Sequence, residues 1–269
     1  MKSSKTATAG IVLIGFWVLC AILAPWIVPY SPNATDLQND LEGPTANHLL
    51  GQDELGRDIL SRIVYGARAS MLVGFTVVSI SLVIGLIIGS IAGYFGGFVD
   101  NAIMRVVDVL LAFPGILLAI AIAGILGPSL GNVILALCIL GWVGFARLVR
   151  GQILSVRERE YITAAQTTGA APMRIIARHV LPNIMAPVIV QATFAVASTI
   201  LAEASLSFLG LGPQNIPTWG GMLNSGVDYL LFAPHLSIFP GIAVMLTVLA
   251  FNFIGDDLRD RLDPKREGK

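Results

Sequence analysis

Two uncharged stretches, Ala69 to Val99 and Val109 to Ala146, leave this chain few folds to choose from. Each is too long and too apolar for a strand or for the half-exposed helix of a soluble domain. In hydrocarbon every backbone amide must be satisfied within its own segment, so both stretches are predicted to cross a membrane as helices. The second, at 38 residues, exceeds one crossing. A helix needs about 20 residues to traverse a core of about 30 Å. Gly127, Pro128 and Gly131 divide the stretch, predicting one span that ends near Leu126 and another from about Leu130 to Leu148. Ile11 to Pro29, Asn183 to Ala202 and Ser237 to Gly255 complete a set of six spans. Composition agrees, since 13% of residues are charged against about 25% in a soluble domain.

The first span follows Lys2 and Lys5, as a signal peptide would, but no small-x-small cleavage site follows Ala24, Pro25 and Trp26, which predicts an uncleaved anchor. Beyond it, residues 30–68 are polar and lie outside the bilayer; Ile59, Ile63 and Val64 share a helical face, predicting a short interfacial helix ahead of span two. In span two, Ser81, Gly85, Gly89, Gly93 and Gly97 recur every fourth residue. Such a stripe lets another helix backbone approach closely, because packing and not water expulsion drives association in lipid. Asp100, Arg105 and Asp108 read as a polar turn, and Pro114 predicts a kink bordering a pathway. Glu203 is the one acidic residue of an apolar span and has three readings: a gate, a helix-pairing anchor, or an interfacial carboxylate reaching water. Residues 206–236, rich in Gly and Pro, suit a re-entrant or interfacial loop, and Asp256 to Lys269 a charged tail.

Between spans four and five lies the interval Arg157 to Pro182, polar and Arg-rich. Helix formers from Glu158 to Thr168 predict a first helix stopped by Gly169. Pro172 opens a second, and Pro182 is expected to end it by biasing Leu181 away from helical geometry. Ala164 and Ala165 would leave a bare surface for another protein, although a solvated hairpin fits the residues equally. With six spans, 14 of the 17 Lys and Arg residues fall on the side of this loop and both termini, leaving Arg57, Arg62 and Arg68 opposite. The positive-inside rule therefore puts the loop and termini in the cytoplasm.

Several chemistries lack their residues. The one Gly-Lys pair closes the chain, so no phosphate-binding loop exists, and there is no nucleotide fingerprint and no HExxH. Cys20, Cys138 and the three scattered histidines form no metal-ligand pattern. A non-catalytic subunit is predicted, with any energy supplied by a partner. A self-sufficient channel or secondary carrier is the rival; it would transport alone, without nucleotide.

Tyr161-Ile162-Thr163-Ala164-Ala165, then Gly169, then Leu181-Pro182, resembles the EAA signature of ATP-binding cassette importer permeases. Gly51 to Asp58, Tyr65-Gly66-Ala67-Arg68, Gly93 to Gly97, Met104 to Asp108 with Ala112-Phe113-Pro114, Leu206 to Gly212 and Gly255 to Asp260 are similar to the C-type subunit of the dipeptide, oligopeptide and nickel branch. The resemblance covers about residues 51–264. It implies an all-α membrane protein of type I importer architecture in the inner membrane of a bacterium or archaeon. An anchor and extracytoplasmic segment (1–68), a permease core (69–256) and a cytoplasmic tail (257–269) would make up the chain. A B-type permease, two cytoplasmic ATPase subunits carrying ATP and Mg, an extracytoplasmic solute-binding protein and lipid are the implied partners; this chain would bind no cofactor, metal or nucleic acid. The coupling residues carried over are Tyr161, Thr163, Ala164, Ala165, Gly169, Ala170, Pro172, Arg174, Leu181 and Pro182. Two departures stand out: Thr163 replaces the family's Glu, and His179 replaces an apolar residue. Without a His or Met cluster in the spans, di- or oligopeptides are the favoured cargo, with nickel or a glutathione-like solute as alternatives.

Overall fold

A computed structural model describes residues 5–262. Lys2 and the tail from 263, including Lys265, Arg266 and Lys269, lie outside the described residues. The helices are α1 (Lys5–Ile27), α2 (Ile59–Phe95), α3 (Gly97–Ala112), α4 (Gly115–Leu126), α5 (Leu130–Val156), α6 (Glu160–Thr167), α7 (Pro172–Ile175), α8 (Leu181–Phe208), α9 (Trp219–Val227) and α10 (His235–Leu262), with a π-helical turn, Ile176–Val180, joining α7 to α8. Five segments, α1, α2, α5, α7 through α8, and α10, are long and apolar enough to cross a membrane, and the bent pair α3 and α4 supplies a sixth candidate.

The expected interfacial helix is not separate. Ile59 and Ile63 belong to the first turns of α2, which runs unbroken for 37 residues, about 55 Å at 1.5 Å per residue. No proline interrupts it, and Asp58 caps it, accepting from the Ser61 backbone N–H at 2.8 Å and hydroxyl at 2.6 Å. Arg62 and Arg68 mark where the apolar span begins, not where the helix begins. The polar segment before α2 is itself tightly built. Asp53 Oδ1 accepts from the Leu55 and Arg57 N–H groups at 3.0 and 2.9 Å, and its Oδ2 accepts from Arg57 Nε at 2.7 Å. A methyl group on Gly56, at φ +69°, would overlap the Asp36 carbonyl. The Gly51 to Asp58 motif is therefore a folded turn.

Asp100, Arg105 and Asp108 likewise form no turn; they lie in α3, and the break sits just before them, at Gly96 and Gly97 with φ +65° and +55°. Gly97 thus starts α3 and leaves the α2 stripe. Asp100 pairs with Arg150 of α5 at 2.6 Å and Asp108 with Arg147 at 2.7 Å. The kink expected at Pro114 is a full break: Phe113 is extended, as a residue before proline tends to be, and α4 leaves at 83° to α3.

The α2 stripe lies on α5. A methyl at Gly85 would stand 2.3 Å from Phe145 Cβ, at Gly89 2.6 Å from the Ala146 carbonyl oxygen, and at Gly93 2.9 Å from Ile153 Cβ. Ser81 continues this line against Gly141, whose added Cβ would meet Ser81 Oγ. A larger core gathers around Trp219 of α9, which is fully buried, donates from Nε1 to the Ile63 carbonyl at 3.0 Å and meets Trp17 of α1 edge-on at 5.0 Å. The Gly- and Pro-rich segment before α10 thus folds onto α2 through a helix of its own. The first turns of the expected tail, to Leu262, extend α10.

Candidate functional site

The interval from Arg157 begins where α5 ends. Arg157 Nη1 donates to the Gly93 carbonyl of α2 at 3.2 Å, so the chain leaves α5 tied to the end of its neighbour. In α6, Ile162 is fully buried; in α7, Ile175 is 1% exposed. Both pack with Val149 and Ile153 of α5, Val180 of the π-helical turn and Ile184 of α8. These two residues fasten the interval to the spans.

The opposite surface is open. Tyr161, Thr163, Ala164, Pro172, Met173 and Arg174 are exposed, Met173 to 70%. Ala165 and Ala170, in contrast, pack inward against the Ile162 cluster, so the bare alanine surface reduces to Ala164. Gly169 ends α6 at φ +77° with open space around it, and Ala170 N–H bonds back to the Ala165 carbonyl at 3.2 Å, closing the helix end. Hydroxyls of Thr167 and Thr168 cover the Ala164 and Ala165 carbonyls at 2.9 and 3.0 Å. The result is a small platform with Tyr161 and Met173 exposed at its crest and polar side chains at its flanks.

Pro182 does not end the second helix. Leu181 stays helical, at φ −54° and ψ −48°, and its N–H bonds to the Ile176 carbonyl five residues back. The wide turn shifts the register just where proline would otherwise leave a missing donor and a ring clash, and Asn183 Nδ2 covers the His179 carbonyl at 2.6 Å. Leu181 is half-buried and Pro182 exposed. The platform thereby continues into α8 with no loop between.

Glu203 does not reach water. It is fully buried, with Oε1 accepting from Ser207 at 2.7 Å and Oε2 from Ser70 of α2 at 3.1 Å. The two hydroxyls replace the solvent that a carboxylate near a helix end would seek, and they tie α8 to α2. Pro114 is exposed at the start of α4. Ile162 and Met173, the anchor and the crest, were not among the expected contact residues; an isoleucine and a methionine inside an otherwise polar interval were the available signal.

Residues 85–268 match the family model of the binding-protein-dependent transport system inner membrane component, and residues 1–44 that of the N-terminal TM domain of oligopeptide transport permease C. The chain belongs to this permease family. Like its relatives it is a multi-pass membrane protein and the permease subunit of an ABC importer. It is similar to the dipeptide transport system permease protein DppC of Alkalihalophilus pseudofirmus, 49% identical over 98% of this chain and 88% of that one. Against the glutathione transport system permease protein GsiD of Escherichia coli the identity is 47%, over 98% of this chain and 87% of that one. A putative peptide transport system permease of Brucella suis is 48% identical over 95% and 86%. Among solved structures, the inward-facing MetNI methionine ABC transporter matches with a TM-score of 0.63 at 19% identity, over 76% of this chain and 97% of that one, and so shares the permease fold.

Proposed function

We propose that this chain is the C-type permease of an importer for di- or oligopeptides, and that the Arg157 to Pro182 interval couples it to an ATPase. A second, related permease completes the path, two cytoplasmic ATPase subunits dock beneath, and an extracytoplasmic solute-binding protein delivers cargo. The observation that carries the coupling role is the platform: Tyr161 and Met173 exposed at its crest, Ile162 and Ile175 buried at its base. An exposed apolar crest on a rigid mount suits a protein partner. Burial of the mount makes the crest and α8 move as one body, which is what a lever requires. The strong bias of basic residues toward the platform side supports placing it, with both termini, in the cytoplasm. Relatives named for dipeptide, peptide and glutathione transport support a peptide-bonded cargo, glutathione being itself a small peptide.

The test is reconstitution. The tagged chain, coexpressed with these partners, should bring down a second permease and an ATPase, and proteoliposomes holding the complex should accumulate dipeptide only with ATP and binding protein. Uptake by this chain alone, without nucleotide, would replace the importer reading with a carrier.

A further inference from the structure

Two grooves meet on α8. One, of about 310 Å³, lies among α2, α4, α5 and α8 and is lined by Ser81, Gly115, Gly141, Ser198, Thr199 and Gln191. The other, of about 730 Å³, opens toward the platform among α5, α8 and α10 and is lined by Gln152, Asn183, Pro187, Phe194, Arg259 and again Gln191. Asn183, Pro187, Gln191, Ala195, Ser198 and Ala202 follow one another at intervals of three or four, so a single face of α8, about 28 Å long, runs through both. The break at Pro114 helps open the first groove, since Gly115 forms part of its wall.

Chemistry along this face is uncharged until the platform end, where Arg259 stands at the mouth. Ser81 is 1% exposed, lines the first groove, and its hydroxyl has no hydrogen-bond partner among the described residues. Gln191 carries both donors and an acceptor, has no partner among the described residues, and is exposed in the walls of both grooves. A primary amide matches the N–H and C=O of a peptide bond and is indifferent to the charge of the side chains attached to it.

We propose that this face of α8 is the chain's half of the translocation path, and that Gln191 is its specificity-determining residue, hydrogen-bonding the backbone amides of a passing peptide between the two grooves. The proposal rests on the importer reading above. It predicts that the path admits peptides irrespective of side-chain charge: selection by charge has no group to act through at Gln191.

The complete importer in proteoliposomes tests it with Ala-Lys and Ala-Asp as cargo. Gln191→Glu should raise the Ala-Lys to Ala-Asp uptake ratio and Gln191→Lys should lower it, the two variants differing by at least about fivefold, as a charge in a narrow low-dielectric passage requires. Equal ratios in both variants overturn the assignment, since a structural role would lower both uptakes alike. A second arm is independent of cargo. In a Cys20→Ser, Cys138→Ser background, a cationic methanethiosulfonate should label Gln191→Cys faster than Ile189→Cys, on another face of α8, in the nucleotide-free complex, and ATP with vanadate should slow that labelling. Faster labelling at Ile189→Cys overturns the path. If the unmodified importer carries neither dipeptide while Gln191→Cys labels as expected, the peptide cargo falls and the path stands.

Discussion

At Gly85 the available space is smaller than a methyl group. A Cβ there would sit 2.3 Å from Phe145 Cβ on a different helix, whereas at Gly144, in α5, nothing lies within 4 Å. Gly85→Val is therefore expected to lower stability by about 1–3 kcal/mol through overpacking, and Gly144→Ala to leave it nearly unchanged. Thermal unfolding of the purified complex in detergent reads both, and a similar loss in the two variants would contradict the packing described. Glu203 gives the second residue-scale case. Glu203→Leu removes the acceptor from two buried hydroxyls, Ser70 and Ser207, and should cost about 1–3 kcal/mol for each left unsatisfied. Glu203→Gln keeps an acceptor and adds a donor, so it should retain most of the stability. The same unfolding midpoints decide this, and a Gln variant as unstable as Leu would show that the negative charge itself is needed. The stripe was legible in the chain because its period is local. The environment of Glu203 was not, because Ser70 lies 133 residues away.

Among the elements, the platform shows how far local chemistry reaches. Its first helix was legible to within two residues, because Gly169 is a strong stop: φ is +77° there, and only glycine or, at some cost, asparagine adopts it readily. Gly169→Asn should leave coupling nearly intact, while Gly169→Val, strained by about 1–2 kcal/mol, should loosen the platform and reduce peptide-stimulated ATPase activity relative to basal activity. Unchanged stimulation in the Val variant would mean that the turn does not matter for coupling. The second helix was misjudged at Pro182, since the wide turn that absorbs the proline depends on carbonyl partners such as Asn183 and has no signature of its own in the residues. The same limit applied at Asp100 and Asp108, whose charges read as a turn until Arg150 and Arg147 of α5 supplied their partners.

For the whole molecule, hydropathy alone was enough to give the helical class and five of the spans, because each helix satisfies its own backbone. How they pack was visible only through the glycines of α2. The long α2 holds α5 along its stripe, α9 through Trp219 and α8 through Glu203, so the spans form a frame on which the platform and α8 are mounted. If that frame transmits ATP-driven closure, damage confined to the crest must separate transport from stability. The most direct measurement is dipeptide uptake per ATP hydrolysed by the reconstituted importer carrying Met173→Asp, together with its unfolding midpoint. Met173 is exposed, so the midpoint should stay at the wild-type value. Uptake should fall by at least about tenfold, the usual consequence of losing one central apolar anchor of an interface. Wild-type uptake from a complex that keeps its midpoint would contradict the coupling role of the platform.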